Sequence, residues 1–549
     1  MKIVKHILAL IIFAAIIIYA IYFYFNEKQI KFNKVSSVFI NSSGEIYDKF
    51  LVTPEGSIVF SINDSNYYSF KIYKDESIYS FMPQYKNIFN PIFVCGEISG
   101  LQDDNENEAY RSTNNELIKY LGSNSIENIY SFDNGYLILL QMQNSNGAYL
   151  INFRERTIKR IFEITRKLNG AAYSEMNNCL IISYDDKLVY YDLLSSKTID
   201  IASNLEGDKL NPFIYDNCIY FVNNSQSEYY QVFKMDLNKS KRIQIQPVFH
   251  TEHDIRMPKI KDNYLYFVEV INSEYILKRL NFRSHKVDEI TNKGVVYNYE
   301  FYKNGKIALV YSDVYTPRCL MIYNKTARSL NNISGSRVNH ELTFHIIKDD
   351  LNKSFAYELK PKKIINGIIL YIHPGGLHTD FSPRWDAILM NLCNNGYVII
   401  APNFHLATGY GKTYYNSNID QALEDVKGWK KYILKKYNNY PMFCFSISSG
   451  NILMERLISQ DNEGIRAAVS LFGIPDETSE KCFSIPELFI FGENDPFVDF
   501  KERNLVLRRE KYFHPLISII SYSDEGHWFR KKSNLQDAVS KIITYFYIN

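Results

Sequence analysis

The sequence predicts a multidomain chain of three parts: an N-terminal transmembrane helix, an all-β propeller of seven blades, and a C-terminal α/β domain on a mostly parallel sheet. Three observations carry this. Residues 7–25 are apolar and contain no charged side chain. Apolar, strand-like segments then recur after polar turns, roughly forty residues apart, as propeller blades do. Beyond residue 340 the texture changes to strands alternating with helices. At 549 residues the chain exceeds what one core can serve. The expected boundaries are 1–30 for the anchor, 31–338 for the propeller and 339–549 for the α/β domain.

The anchor comes first. Residues 7–25 are long enough to cross a hydrocarbon core as a helix, so membrane lipid is the expected partner of this single pass. Tyr22, Phe23, Tyr24 and Phe25 suit the interfacial end of a retained helix and fit a cleavage site poorly. Lys2 and Lys5 precede the span and Lys28, Lys31 and Lys34 follow it, so flanking charge does not set the orientation. A long domain after a first span can cross regardless of charge, and the folded parts are expected outside the cytoplasm.

The propeller rests on a repeat. Asp133-Asn134-Gly135-Tyr136-Leu137 resembles Asn177-Asn178-Cys179-Leu180, then Asp216-Asn217-Cys218-Ile219, Asp262-Asn263-Tyr264-Leu265 and Asn304-Gly305-Lys306-Ile307. Glu55-Gly56-Ser57-Ile58 adds a unit, and Asn90-Pro91-Ile92 fits weakly. Each unit continues into a second strand pair, as in Leu188-Val189-Tyr190-Tyr191, giving about four strands per repeat. The competing reading is an irregular set of β-sandwiches. His250-Thr251-Glu252-His253-Asp254 is read as a solvated loop of this region, not as a metal site.

Composition narrows the function. The chain is 46% apolar and 22% charged, with a formal net charge of +2, which gives no reason to expect nucleic acid. Seven scattered cysteines without a CxxC pair make neither a disulfide framework nor a zinc site. No metal or cofactor is expected, and the oligomeric state is not legible.

In the C-terminal part, 364–372, 397–401, 465–472, 487–491 and 516–522 read as strands. Residues 385–394, 419–436 and 536–547 read as helices. Three segments fall just after strands, where such sheets gather functional groups: Ser446-Ile447-Ser448-Ser449-Gly450, Gly492-Glu493-Asn494-Asp495 and Asp524-Glu525-Gly526-His527. The first lies between a strand-like run and a helical pattern, the setting of a nucleophile elbow in an α/β-hydrolase. A serine hydroxyl needs a base, and the base needs an orienting carboxylate. Ser448 is therefore assigned as nucleophile, His527 as base and Asp495 as orienter. The oxyanion donors are expected at the Ser449 N–H and in the loop after the 364–372 strand, from Gly375 or the His373 side chain, since Pro374 has no N–H. His405 follows a strand and is a candidate for substrate contact or for packing. Taken singly, the serine reads as a helix cap and the Gly-x-x-Asp as a turn; their joint order and placement favour catalysis.

With a propeller ahead of these motifs, the chain resembles the prolyl oligopeptidase family of serine peptidases. Asn403-Phe404 with Thr408-Gly409-Tyr410-Gly411, Asp425-Val426, the Ser446–Asn451 elbow, Gly492-Glu493-Asn494-Asp495-Pro496-Phe497-Val498 and Gly526-His527 look like its segments. Ser446 and Asn451 stand where the family has glycines, Pro374 replaces another, and His405-Leu406 replaces Arg-Gly. The stretch from Ser448 to Asp495 is shorter than usual. The resemblance implies hydrolysis of short peptides through an acyl-enzyme, with the propeller limiting access. An esterase on the same scaffold, and a degenerate hydrolase that only binds a partner, remain the alternatives.

Overall fold

The computed structural model describes residues 46–549, except 64–66, 83–87, 95–96, 104–107, 113–125, 133–136, 143–146, 153–154, 156, 238–243, 325–328, 333–341, 350–353, 363, 375–379, 477–483 and 514–515. The expected anchor at 7–25 lies outside the described residues. Among the described residues no helix is long and apolar enough to cross a membrane.

Seven antiparallel units follow one another from Ile46–Val52 to Ser329–Asn332. Six have four strands; the second has three described strands, Ile88–Val94, Glu97–Asp103 and Glu108–Ser112. The sixth blade opens on Asp254–Lys261 and the seventh on Val295–Phe301, linked by one parallel pairing of Tyr275 with Val295. Every repeat anchor but one falls at the head of a blade's second strand, and in the fifth and sixth blades an Asn or Asp pair takes the left-handed turn that joins the strands tightly. Asp216, Asn217, Asp262 and Asn263 all have φ between 47° and 60°. The exception is Ile92, which lies in the first strand of its blade. Asn90-Pro91 makes no turn: it sits at a register irregularity between Phe89 and Ile92, a bulge where a strand tolerates proline.

The inner blade strands, such as Cys179–Tyr184 and Ile307–Asp313, are buried on both faces, which is why they read as apolar runs more than as alternation. In Cys179–Tyr184, Leu180 and Ile182 pack toward Leu139 and Leu150 of the preceding blade. Cys179 and Ile181 pack toward Ile219 and Phe221 of the next. The ring closes the same way: Phe50, Ile58 and Phe60 of the first blade meet Ala308, Val310 and Leu320 of the seventh. Among the described residues no strand is shared between those two sheets.

The C-terminal domain is one eight-stranded sheet. Its strands are β1 (Leu342–Asp349), β2 (Ser354–Pro361), β3 (Gly367–Ile372), β4 (Tyr397–Asn403), β5 (Met442–Ile447), β6 (Ile465–Leu471), β7 (Glu487–Gly492) and β8 (Ile517–Tyr522). Their order is β1-β2-β4-β3-β5-β6-β7-β8, parallel from β4 onward. Helices α1 (Ala387–Asn394) and α5 (Lys532–Ile548) cover one face, where Tyr371, Phe443 and Phe445 meet Leu389 and Ile542. On the other face Leu370 and Cys444 meet Trp429 of α2 (Ile419–Lys436) and Leu453 of α3 (Gly450–Gln460). Helix α2 starts on an Asn418–Gln421 capping box and ends on Lys435 and Lys436, complementing its dipole. A further helix, α4 (Phe500–Phe513), packs beyond β7.

The propeller meets this domain at the carboxyl ends of β3 and β4. Glu228 of the fifth blade accepts from Lys412 N at 2.8 Å through its carbonyl. Ser273 of the sixth pairs with Tyr410 OH at 2.8 Å and accepts from Asn403 Nδ2 at 3.1 Å. Ser312 of the seventh accepts from Trp385 N at 3.1 Å. The segment Asn403 to Gly411, singled out in the sequence, is thus a junction between domains. Gly409, with φ of 86°, lies where a Cβ would meet Val270 at 2.8 Å.

Candidate active site

Strand β5 ends in a turn whose geometry explains its composition. Ser448 has φ of 53°, the left-handed region that a residue with a Cβ seldom enters. The chain then starts α3 with Ser449 as N-cap. Ser448 N donates to Leu471 O at 2.9 Å, and Ser448 O accepts from Asn451 N and Ile474 N, each at 3.1 Å. A Cβ on Gly450 would stand 2.4 Å from Ile372 O and 2.6 Å from His373 O, so the approach of α3 to the end of β3 admits only glycine there.

Strands β7 and β8 deliver the partners. Ser448 Oγ lies 2.8 Å from His527 Nε2. His527 Nδ1 donates to Asp495 Oδ2 at 2.7 Å, which leaves Nε2 free to accept from the serine. The second oxygen of Asp495 accepts from the N–H groups of Phe497 (2.8 Å) and Val498 (3.1 Å), which locks the carboxylate. The His527 and Asp495 side chains are 4% and 1% exposed, so this relay is sheltered from competing water. Three aromatic rings frame the imidazole: Phe472 at 5.9 Å, Phe497 edge-on at 4.9 Å and Trp528 at 4.7 Å. Phe497 and Trp528 are exposed and offer apolar surface beside the reacting groups.

The other sequence candidates are placed as follows. Gly375 lies outside the described residues. Ser449, at the head of α3, directly follows the nucleophile position. His373 is buried, stacked flat on Phe404 at 4.4 Å, and burial pushes its imidazole down to about 4. Its Nδ1 lies 3.0 Å from Pro374 O, and since a carbonyl only accepts, the proton sits on Nδ1. In that tautomer Nε2 is an acceptor with no proton to offer an oxyanion. His405 is held by Asp425, whose Oδ2 accepts from its backbone N and its Nδ1, both at 2.7 Å, and it stacks on Tyr414 at 4.2 Å.

The residues that replace glycines build a polar patch behind the elbow. Ser446 and Asn451 are fully buried. Asn451 Nδ2 donates to Glu455 Oε1 (2.8 Å) and Ile474 O (2.9 Å). Arg503 of α4 donates to Glu455 Oε1 at 2.6 Å. Glu487 on β7 lies in the same layer, its carboxyl pushed up to about 8 by burial and by the Glu455 charge. Sequence reading had no signal for this patch beyond the missing glycines, because its members come from α3, α4, two strands and the loop after β6.

No family model and no curated protein sequence matches the chain. Its structure is similar to that of prolyl oligopeptidase B from Galerina marginata, at 14% identity and a TM-score of 0.76 over 94% of this chain and 90% of that one. It is also similar to a puromycin-hydrolysing peptidase of Mycobacterium tuberculosis, at 12% identity and 0.72 over 93% and 95%. A third likeness is to the acylaminoacyl peptidase of Pyrococcus horikoshii, at 10% identity and 0.66 over 92% and 95%. The sheet order, the propeller and these likenesses agree: the chain has the fold of the prolyl oligopeptidase family of serine peptidases.

Proposed function

We propose that the chain is a serine peptidase that hydrolyses short peptides through an acyl-enzyme. The observation that carries this reading is the hydrogen-bond relay from Asp495 through His527 to Ser448, set on a left-handed elbow. As the Ser448 hydroxyl attacks the scissile carbonyl, its proton passes to His527 Nε2, and Asp495 stabilises the imidazolium through Nδ1–H. The oxyanion forms beside the Ser449 N–H, with the loop after β3, around Gly375, as the second donor. His527 then protonates the leaving amine, and a water activated by the same imidazole releases the acid. The propeller's contacts at the ends of β3 and β4 support a filter that keeps folded proteins from Ser448. The likeness to peptidases supports amide bonds over esters. A membrane tether through residues 7–25, with the folded parts outside the cytoplasm, belongs to this proposal; resistance to carbonate extraction, lost on deleting 1–30, tests the tether.

The main test is labelling of the full chain with a fluorophosphonate, with Ser448→Ala and His527→Ala as controls, followed by peptide anilides and p-nitrophenyl esters. Labelling lost in both variants together with anilide cleavage is the expected result. Ester turnover without amide cleavage would make the chain an acyl hydrolase, and a folded protein that takes no label would leave only a binding role.

A further inference from the structure

We propose that Arg256 of the propeller and Arg384 of the hydrolase domain form a subsite between the domains that binds a carboxylate of the peptide substrate. The proposal rests on the peptidase reading above and names a substrate feature. Arg384 lies in the loop between β3 and α1, pinned to the seventh blade through Trp385 N and Ser312. It is exposed to solvent, and charged and phenolic groups of both domains stand within electrostatic reach of its guanidinium, Tyr297 and Arg318 from one and Asp386 and Tyr371 from the other.

Arg256, on the first strand of the sixth blade, lies over the Tyr275 ring at 5.0 Å. The Tyr275 hydroxyl donates to Asp380 Oδ1 at 2.7 Å and stands within electrostatic reach of both arginines. Arg384 and Asp380 also act on His373, whose carbonyl abuts Gly450, two residues past Ser448. The cluster therefore borders the elbow.

The carboxylates nearby are already engaged by neutral donors. Asp380 accepts from Tyr275, from Thr408 Oγ1 at 3.3 Å and from Ser382 Oγ at 3.3 Å. Asp254 accepts from Tyr230 N at 2.8 Å and from Gly409 N. Asp386 caps α1. Among the described residues neither Arg256 nor Arg384 makes an ion pair or a hydrogen bond. Arg256 has its stack on Tyr275 and the more distant charges of Asp380 and Asp254, which leaves the hydrogen-bonding fork of each guanidinium open, and that planar fork matches a carboxylate. That carboxylate belongs either to a peptide C-terminus or to an acidic side chain.

The test uses the full chain carrying Ser448→Ala and three probes: dansyl-tetra-alanine as the free acid, the same peptide as its C-terminal amide, and the amide with glutamate in third place. One or both carboxylate probes should bind about ten- to a hundredfold tighter than the plain amide, and the tighter one names the source. Arg384→Met and Arg256→Met should each bring that ratio toward one, and Arg384→Lys should restore part of it, since charge remains without the fork. Equal binding of all three probes, binding of none, or a ratio unchanged in both methionine variants would overturn the subsite. Fluorophosphonate labelling of the unsubstituted chain judges the hydrolase reading separately.

Discussion

Two histidine–aspartate pairs stand at the carboxyl ends of strands in the same domain, and both have an Nδ1 to Oδ2 distance of 2.7 Å. At His527–Asp495 the far nitrogen meets Ser448 at 2.8 Å; at His405–Asp425 no hydroxyl stands there among the described residues. His405 also spends its aspartate on its own backbone N–H and lies face-on to Tyr414. On the proposed reading one pair moves a proton, and the other holds the loop after β4 in place beside the propeller. A carboxylate–imidazole contact is therefore no evidence of catalysis by itself; what counts is the group on the other nitrogen and the strain that presents it.

The sharpest way to break this comparison is to truncate both aspartates. Asp495→Ala should lower kcat by about 10⁴ while the protein stays folded, because the imidazole loses its orientation and its counter-charge. Asp425→Ala should leave kcat within about tenfold and instead cost roughly 1–3 kcal/mol of stability, from two donors left without an acceptor. Peptide turnover and urea unfolding of the two variants read this directly; a collapse of kcat in Asp425→Ala would make His405 part of the chemistry.

A smaller effect is expected from the elbow itself. Gly450→Ala places a methyl 2.4 Å from Ile372 O, so β3 and α3 must part. We expect a loss on the order of 3 kcal/mol and weaker fluorophosphonate labelling together. Wild-type stability with full labelling would show that the contact relaxes.

The effect that is smallest at any one pH step concerns the polar patch behind the elbow. Glu487 titrates near 8 in the folded chain against an ordinary value of 4.5. The folded state thus holds a proton that the unfolded chain has released. The associated stability is full below the ordinary value and is lost as pH rises toward 8, by about 1.4 kcal/mol per pH unit at most. Glu487→Gln should flatten the dependence of Tm on pH between about 5 and 8 and raise Tm at the upper end. An unchanged profile would place that proton elsewhere.

Much of this was legible in the sequence where the signal is local. The Asn and Asp turns announced the blades because these residues tolerate a left-handed backbone just before an apolar strand, as at Asp262 and Asn263. Ser448, Asp495 and His527 could be named because each lies in the loop or turn that follows a strand of an alternating domain. What was missed has diffuse signals. Strand β1 leaves Ile346 exposed and pairs antiparallel with β2, outside the alternation of the rest. Helix α4 is so rich in charge that no apolar stripe marks it, though Leu507 and Arg503 are buried. The cluster around Arg256, Tyr275, Asp380 and Arg384 joins segments far apart in the chain, and only the fold brings them together.

The unshared seam of the propeller has a thermal consequence. A ring whose first and last sheets exchange a strand opens only by breaking a ladder; among the described residues this one closes as a clasp. Parting Phe50 and Phe60 from Val310 and Leu320 wets apolar surface but leaves each blade's pairing whole. Such contacts weaken on cooling, so amides flanking this seam should lose hydrogen-exchange protection in the cold before those inside any blade.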